Sequence, residues 1–485
     1  MSAEHFDVLI IGAGLSGVDA GWHLNTYAPK KTYVILENRE RIGGTWDLFR
    51  YPGIRSDSDM LTMGYRFKPW THDSAISPGD AIREYVTETA REAGVDRHIR
   101  FRHNVISAAW DSATARWTIN ATKRDDAGKE TGVTYTANFL FSCAGYYRYS
   151  AGYTPDFAGR DRFKGTVIHP QHWPEGFSYD GKRVIIIGSG ATAVTLLPNM
   201  ARTAAHVTML QRSPSYIATL PAEDRVANRL RRWLPSRLAY AITRAKNIGR
   251  SLFYYQIARR RPDVFKRSLR AQARAALGAA FPVDVHFAPR YQPWDERLCL
   301  VPDGDLFRVL REGKASIRTD SIDCFTEQGV RLQSGETIDA DVIVTATGLN
   351  VKILDGIDLI VDGDRIDLAT TMAYKGMMYS GVPNLASAFG YTNASWTLKC
   401  DLVADHVCRL LRLMQRRGYV ECRPVRDPSV AARPVFEFTS GYVQRALSRL
   451  PTQGDRAPWR LYQNYLRDLI MLRLGRVTDR ALRFR

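Results

Sequence analysis

The chain has 485 residues, of which 45% are hydrophobic and 24% charged, a composition that excludes a disordered or fibrous protein and allows about two to four folded domains. Its formal charge is +18, yet no zinc finger or other nucleic-acid signature accompanies the excess, so DNA or RNA binding is not expected. Six scattered cysteines (Cys143, Cys299, Cys324, Cys400, Cys408, Cys422) form no CxxC pair, which excludes a disulfide scaffold and a cysteine metal site; no metal is expected.

The N-terminus, MSAEHFDVLIIGAG, lacks a basic segment followed by a long apolar run, and no window of about 18 residues is apolar enough to span a bilayer. A cytoplasmic protein is expected. Val8–Ile11 is a short apolar run that predicts a buried parallel strand. Gly12, Gly14 and Gly17 follow in GxGxxG spacing, and a helix follows them. The first glycine permits the turn, the second lets backbone approach a pyrophosphate, and the third lets helix and strand pack closely. A second strand, TYVILE, ends at Glu37, where an acid binds a ribose hydroxyl and disfavours a 2′-phosphate. Either FAD or NAD fits this first cradle.

Further along, FKGTVIHPQHW places His169 in a connector between two nucleotide-binding units. Beyond it, GKRVIIIGSGATAVTLLPNM repeats the pattern, with strand Val184–Ile187, Gly188, Gly190, and Ala193 in the third position. The next strand ends without an acid, in Gln211, Arg212 and Ser213. A guanidinium and a hydroxyl suit a phosphate, which favours NADP here. Two facing dinucleotides suit electron transfer from a nicotinamide to a flavin.

Residues 225–275 carry 15 Lys and Arg against one acid, Asp263, interleaved with leucines and aromatics. They read as basic helices with an apolar face. That face either packs on the protein, leaving the basic side to water, or rests weakly on an anionic membrane surface. IDADVIVTATGLN predicts a strand, Asp341–Thr345, at which the chain re-enters the first domain. ADHVCRLLRLMQRRG predicts an amphipathic helix ended by Gly418, and PWRLYQNYLRDLIMLRLG predicts another. The basic tail after Gly475 is expected to be disordered.

The expected fold is α/β: two Rossmann-like dinucleotide-binding domains, for FAD and NADP, with a helical insertion. The first part of the FAD domain spans 1–150, a linker 151–174, the NADP domain 175–340 with its insertion at about 221–275, and the returning FAD domain 341–485.

Phe163, Gly165, His169, Trp173 and Pro174 spell FxGxxxHxxxWP. On that stretch the chain resembles class B flavoprotein monooxygenases, and among them the Baeyer–Villiger monooxygenases. GGTWDLFRYPGIRSDSDM and GYTNASWTLK are similar to the EthA-like branch, whose mycobacterial member activates thioamide prodrugs. The resemblance covers essentially the whole chain. It implies that Gly44, Thr45, Trp46 and Arg50 lie along the flavin and that Trp396 lies near the cofactor or substrate. It implies a catalytic pair in which Asp57 holds Arg297, and a positioning role for His169 in a hinge. Glu296 stands where many family members carry a lysine that helps hold the nicotinamide cofactor. The implied reaction has NADPH reduce FAD, oxygen add at flavin C4a, and the peroxyflavin convert a ketone or aldehyde to an ester, lactone or acid, with oxidation of sulfides or thioamides as a further activity. An N- or S-oxygenating flavin monooxygenase is the alternative. The implied partners are a small substrate and O2; oligomeric state is left open.

Overall fold

The computed structural model describes residues 3–296 and 298–485, the side chain of Asp355 excepted. Two sheets organise it. The first has nine strands. At its centre Glu4–Ile11 lies parallel to Tyr33–Leu36 on one side and to Glu130–Ser142 on the other. Leu9 and Ile10 are fully buried because helices and further chain cover both faces, which explains a continuous apolar run in place of alternation. Residues 103–142 form an antiparallel meander extending the sheet, and Asp358–Val361 adds beyond it.

The second sheet is all parallel, in the order Ala315–Thr319, His206–Gln211, Arg183–Ile187, Val342–Thr345, Thr166–Ile168. This shifts the expected boundaries. Thr166–Ile168, taken as linker, and Val342–Thr345, taken as the return to the first domain, both pair within the second sheet. Val342–Thr345 is wholly buried there, as is Ile168, and the chain rejoins the first sheet only at Asp358–Val361.

Strands Tyr216–Leu220 and Leu298–Pro302 lie side by side, so the insertion leaves and returns at one place. Between them run helices Arg225–Trp233, Ser236–Arg260 and Pro262–Leu277. The last buries Leu269, Ala273 and Leu277 at four-residue spacing, as an amphipathic surface helix should. The 236–260 helix does the reverse: Arg244 and Asn247 point inward while Ile242 and Phe253 are exposed. The two nucleotide units meet where Arg55 Nη1 donates to Asp305 Oδ2 at 2.5 Å and where Asn199 fills the space left by Gly53.

Helix Trp396–Arg417 ends at Gly418 in the left-handed conformation, as expected. The following prediction is only partly met. Of PWRLYQNYLRDLIMLRLG, only Tyr465–Asp468 and the wide turn Leu469–Leu474 are helical. Upstream, backbone groups take tertiary partners instead: Leu461 N–H donates to Gln453 Oε1 at 2.9 Å and Asn393 Nδ2 to the Gln463 carbonyl at 2.9 Å. The tail is ordered. Leu482–Phe484 pairs antiparallel with Cys422–Pro424, and Arg485 bonds Glu421 at 2.9 Å. All six cysteines are buried and unbridged. Among the described residues no helix is long and apolar enough to cross a membrane.

His406, fully buried in the 396–417 helix, has its Nδ1 2.8 Å from the Leu472 carbonyl, so that nitrogen carries the proton. Burial pushes its imidazole down to about 3. Below about pH 6.5 the unfolded chain takes up a proton that the folded chain refuses. Stability is therefore intact above that pH and declines toward pH 3. Urea melts at pH 7 and 5 should show this decline, and His406→Asn should reduce it relative to wild type by an amount on the order of 1–2 kcal/mol.

Candidate functional site

The first cradle is built from backbone. Gly12 has φ +97°, and a Cβ there would lie 2.8 Å from the Cys143 carbonyl oxygen. Helix Leu15–Tyr27 starts at Gly14 with no side-chain cap, which leaves its N-terminus open to an anion. Glu37 is buried, and its position is fixed by backbone donors: Ala13 N–H reaches Oε2 at 2.7 Å and Arg39 N–H reaches Oε1 at 2.9 Å. Opposite, Gly44 takes φ +57°, and a Cβ on it would sit 3.1 Å from Gly14 Cα, so two glycine turns face one another.

From these turns a cleft, open at its mouth, runs past Trp46 and Cys143 to Thr192 and Leu300 of the second unit. Gly12, Gly14, Glu37, Gly44, Thr45, Trp46, Asp57 and Trp396 all line it. Gly17 lies beneath it, against the Gly12 carbonyl. Trp396 begins the 396–417 helix. Its Nε1 is 3.0 Å from Ser16 Oγ, and its ring stacks on Tyr146 at 4.9 Å. Gly390 makes room for that indole, since a Cβ there would come within 2.4 Å of the ring.

Arg50 does not line this cleft. Its Nη2 donates to Asp47 Oδ1 at 2.8 Å, and Arg39 donates to the other oxygen at 2.6 Å. Asp47 is a buried carboxylate, and such a charge needs cations beside it. The resemblance placed Arg50 along the flavin; its guanidinium is spent on Asp47 instead. Arg55 lines the cleft in its place and carries the contact to Asp305. Sequence reasoning missed Arg55, Asp47, Tyr146 and Tyr147. The only signal for the tyrosines was their position directly after the strand-end CAG. Arg297 lies outside the described residues.

At the second cradle Gly188 has φ +136°, and a Cβ would lie 2.3 Å from the Ala346 carbonyl oxygen. Helix Ala191–Met200 starts at Gly190, above which a Cβ would meet nothing within 4 Å. Ala193 is buried, as a position packed on the strand requires. Arg212 is exposed at the end of the 206–211 strand. Ser213 sits beside the glycine turn, its carbonyl accepting from Ser189 Oγ at 3.0 Å. Burial raises the Glu296 carboxyl, and the Arg212 charge opposes that rise, so this acid faces the arginine.

His169 is not in the cleft but at the crossing between sheets. Its Nδ1 accepts the Gln171 N–H at 3.2 Å, which assigns the proton to Nε2, 3.2 Å from the Gly348 carbonyl. Burial holds the imidazole below its usual range, partly offset by that carbonyl. The ring thus ties residue 169 to the loop after Val342–Thr345. Gly152 leaves the space it occupies, since a Cβ there would lie 1.9 Å from Cε1.

Residues 5–226 match the family model described as flavin-binding monooxygenase-like. The chain is 53% identical over 485 residues to the FAD-containing monooxygenase EthA of Mycobacterium tuberculosis (strain ATCC 25618 / H37Rv), covering 99% of this chain and 98% of that protein. The chain belongs to the class B flavin-dependent monooxygenases. This monooxygenase is also 48% identical to the probable FAD-binding monooxygenase AlmA of Acinetobacter baylyi (strain ATCC 33305 / BD413 / ADP1), over 99% of its own length and 96% of that relative's. Its fold is that of an oxidized steroid monooxygenase bound to NADP, with TM-score 0.78, 21% identity and 99% of each chain covered. A closed cyclohexanone monooxygenase gives TM-score 0.70 at 20% identity over 87% of each chain. The monooxygenase binds FAD and NADP(H). The residues fit such groups: turns closed at Gly12 and Gly188 where a Cβ would strike backbone, an open helix N-terminus at each turn, and one cleft reaching from the first unit to the second.

Proposed function

We infer that this monooxygenase uses FAD, NADPH and O2 to oxygenate sulfur in a small, largely apolar thioamide or sulfide. The observation that carries this reading is 53% identity along the whole chain to EthA, joined to the GGTWDLFRYPG and GYTNASWTLK stretches of the thioamide-activating branch. Insertion of oxygen beside the carbonyl of a ketone or aldehyde is the second reading, favoured by the FxGxxxHxxxWP stretch.

In both readings the flavin, when bound, supplies the redox and oxygen chemistry. The chain's own groups position and shield it. Gly12, Gly14 and Glu37 would hold its diphosphate and ribose, and Gly44, Thr45 and Trp46 would close the opposite wall. Gly188, Gly190, Arg212 and Ser213 would hold the 2′-phosphorylated dinucleotide. Trp396 and Tyr146 present a stacked aromatic wall that keeps water from the reacting end. Arg297, held by Asp57, would keep a fixed positive charge where negative charge develops, because a guanidinium stays protonated when buried.

His169 would transmit the position of the second unit to the first. His169→Ala is expected to keep its FAD while the yield of product per NADPH drops by roughly fivefold or more and hydrogen peroxide rises. Unchanged yield would remove the hinge role.

The reading is tested by following NADPH oxidation and identifying products with an aryl thioether, a thioamide, linear ketones and cyclic ketones. Sulfoxide formation at higher kcat/KM than ester formation is expected. Ester formation alone would replace the first reading by the second. Wild-type product rates from Arg297→Ala would remove that residue's role from both.

A further inference from the structure

The 236–260 helix is inverted relative to ordinary surface helices. Its inner face, besides Ala239, Ile248 and Ala258, carries polar groups that anchor it. Arg244, 7% exposed, donates through Nη1 to the carbonyls of Leu61, Thr62 and Gly64 at 3.1, 3.1 and 2.7 Å. Tyr240 donates to the Tyr65 carbonyl at 3.1 Å, and Asn247 to Asp59 at 3.1 Å. Its outer face is apolar. Leu238, Ile242, Ala245, Gly249 and Phe253 recur at intervals of four, three, four and four, the spacing of a single helical stripe, and all are exposed. Phe253 is 62% exposed, and Trp233, just before the helix, 81%. At 1.5 Å per residue the stripe runs about 22 Å.

Charge borders the stripe without entering it. Arg237 and Arg250 flank it and are exposed, while Arg232 and Arg260 stand exposed near its two ends. Lys246, the one basic residue close to its centre line, is turned aside to Asp224 at 2.6 Å. An exposed apolar stripe free of charge, on a segment with 15 basic residues and one acid, is not arranged for water. Nor does it suit a second copy of this chain, because mating two such faces would bring two basic rims together. Nucleic acid would meet the rim but leave the aliphatic stripe uncovered. A surface that is both anionic and apolar beneath satisfies both features.

We propose that the Ser236–Arg260 helix docks this monooxygenase on anionic lipid bilayers, lying in the plane of the interface with Leu238, Ile242 and Phe253 inserted and the arginine rim against the headgroups. The inner face of the same helix contributes Ile248, Leu252 and Tyr255 to a small crevice against Asn393 and Ser395, the segment directly before Trp396 begins its helix, so the docked face and the wall of the cleft belong to connected elements. The proposal stands whichever substrate the enzyme takes.

The test is flotation of the FAD-loaded full chain with phosphatidylcholine vesicles and with vesicles in which about one third of the lipid is phosphatidylglycerol, at low and high salt. Binding only to the anionic vesicles, weakened by salt, is expected. The double variant Ile242→Glu/Phe253→Glu should lower that binding at least about tenfold, and Arg237→Glu/Arg250→Glu should do likewise, with flavin content and NADPH oxidation in solution unchanged. Equal binding of wild type to neutral and anionic vesicles, or wild-type binding by the Ile242→Glu/Phe253→Glu variant, would overturn the proposal. So would sedimentation showing a dimer that this variant dissociates, since the stripe would then be covered by a second copy.

Discussion

Gly17→Ala is expected to purify without bound flavin. A Cβ at residue 17 would lie 1.9 Å from the Gly12 carbonyl oxygen, and that obstructing atom belongs to backbone, so no neighbouring side chain can swing away. Relief requires the 15–27 helix to move off the Glu4–Ile11 strand. That movement would separate the Gly12 and Gly14 turn from Glu37, whose carboxylate is anchored on the Ala13 amide. Overpacking of this kind costs about 1–3 kcal/mol even where side chains can adjust, and here they cannot. The measurement is the flavin-to-protein absorbance ratio after gel filtration, with circular dichroism to separate loss of cofactor from loss of fold. A fully yellow variant with wild-type turnover would show that helix–strand contact at this glycine does not set the cradle.

Gly188→Val should separate the two cofactors. The residue has φ +136°, outside the range of branched side chains, and a Cβ would meet the Ala346 carbonyl oxygen at 2.3 Å. The turn that carries Ser189 toward Ser213 would open, and the start of the 191–200 helix would shift with it. The first cradle lies in the other sheet, so flavin content should remain near wild type. Reduction of the flavin by NADPH should fall at least about a hundredfold, equivalent to roughly 2.7 kcal/mol, while reduction by dithionite stays unchanged. Stopped-flow absorbance reads both. Reduction by NADPH at the wild-type rate would mean that this turn does not hold the nicotinamide dinucleotide.

The contrast between the two variants follows from a division already visible along the chain. Each cradle is a local object: a strand, three small residues and a helix within about twenty positions. Steric demands between near neighbours select glycine there, so the residues announce the turn. The helix ended by Gly418 was legible for the same reason. Glu37 was legible because its distance from the turn is set by one helix and one strand.

What escaped the sequence depends on partners far away in the chain. Arg50 and Arg55 lie five residues apart in one loop, and nothing local says which faces the cleft. The buried Asp47 carboxylate captures the first, and Asp305, on the second unit, captures the other. The tail's order likewise rests on residues 422–424, and the assignment of Val342–Thr345 rests on its pairing with both the 183–187 and 166–168 strands.

The insertion shows the limit most plainly. Composition announced basic helices with apolar residues but not the direction in which the middle helix faces. The carbonyls of Leu61, Thr62 and Gly64 draw Arg244 inward, and that turns Ile242 and Phe253 out. By itself, then, the sequence determined the two dinucleotide cradles and their family, because backbone sterics over short spans leave few choices. Only the tertiary structure decided which charges enter the cleft and which face of the insertion meets the outside, because a buried polar group is satisfied by whatever partner the fold brings to it.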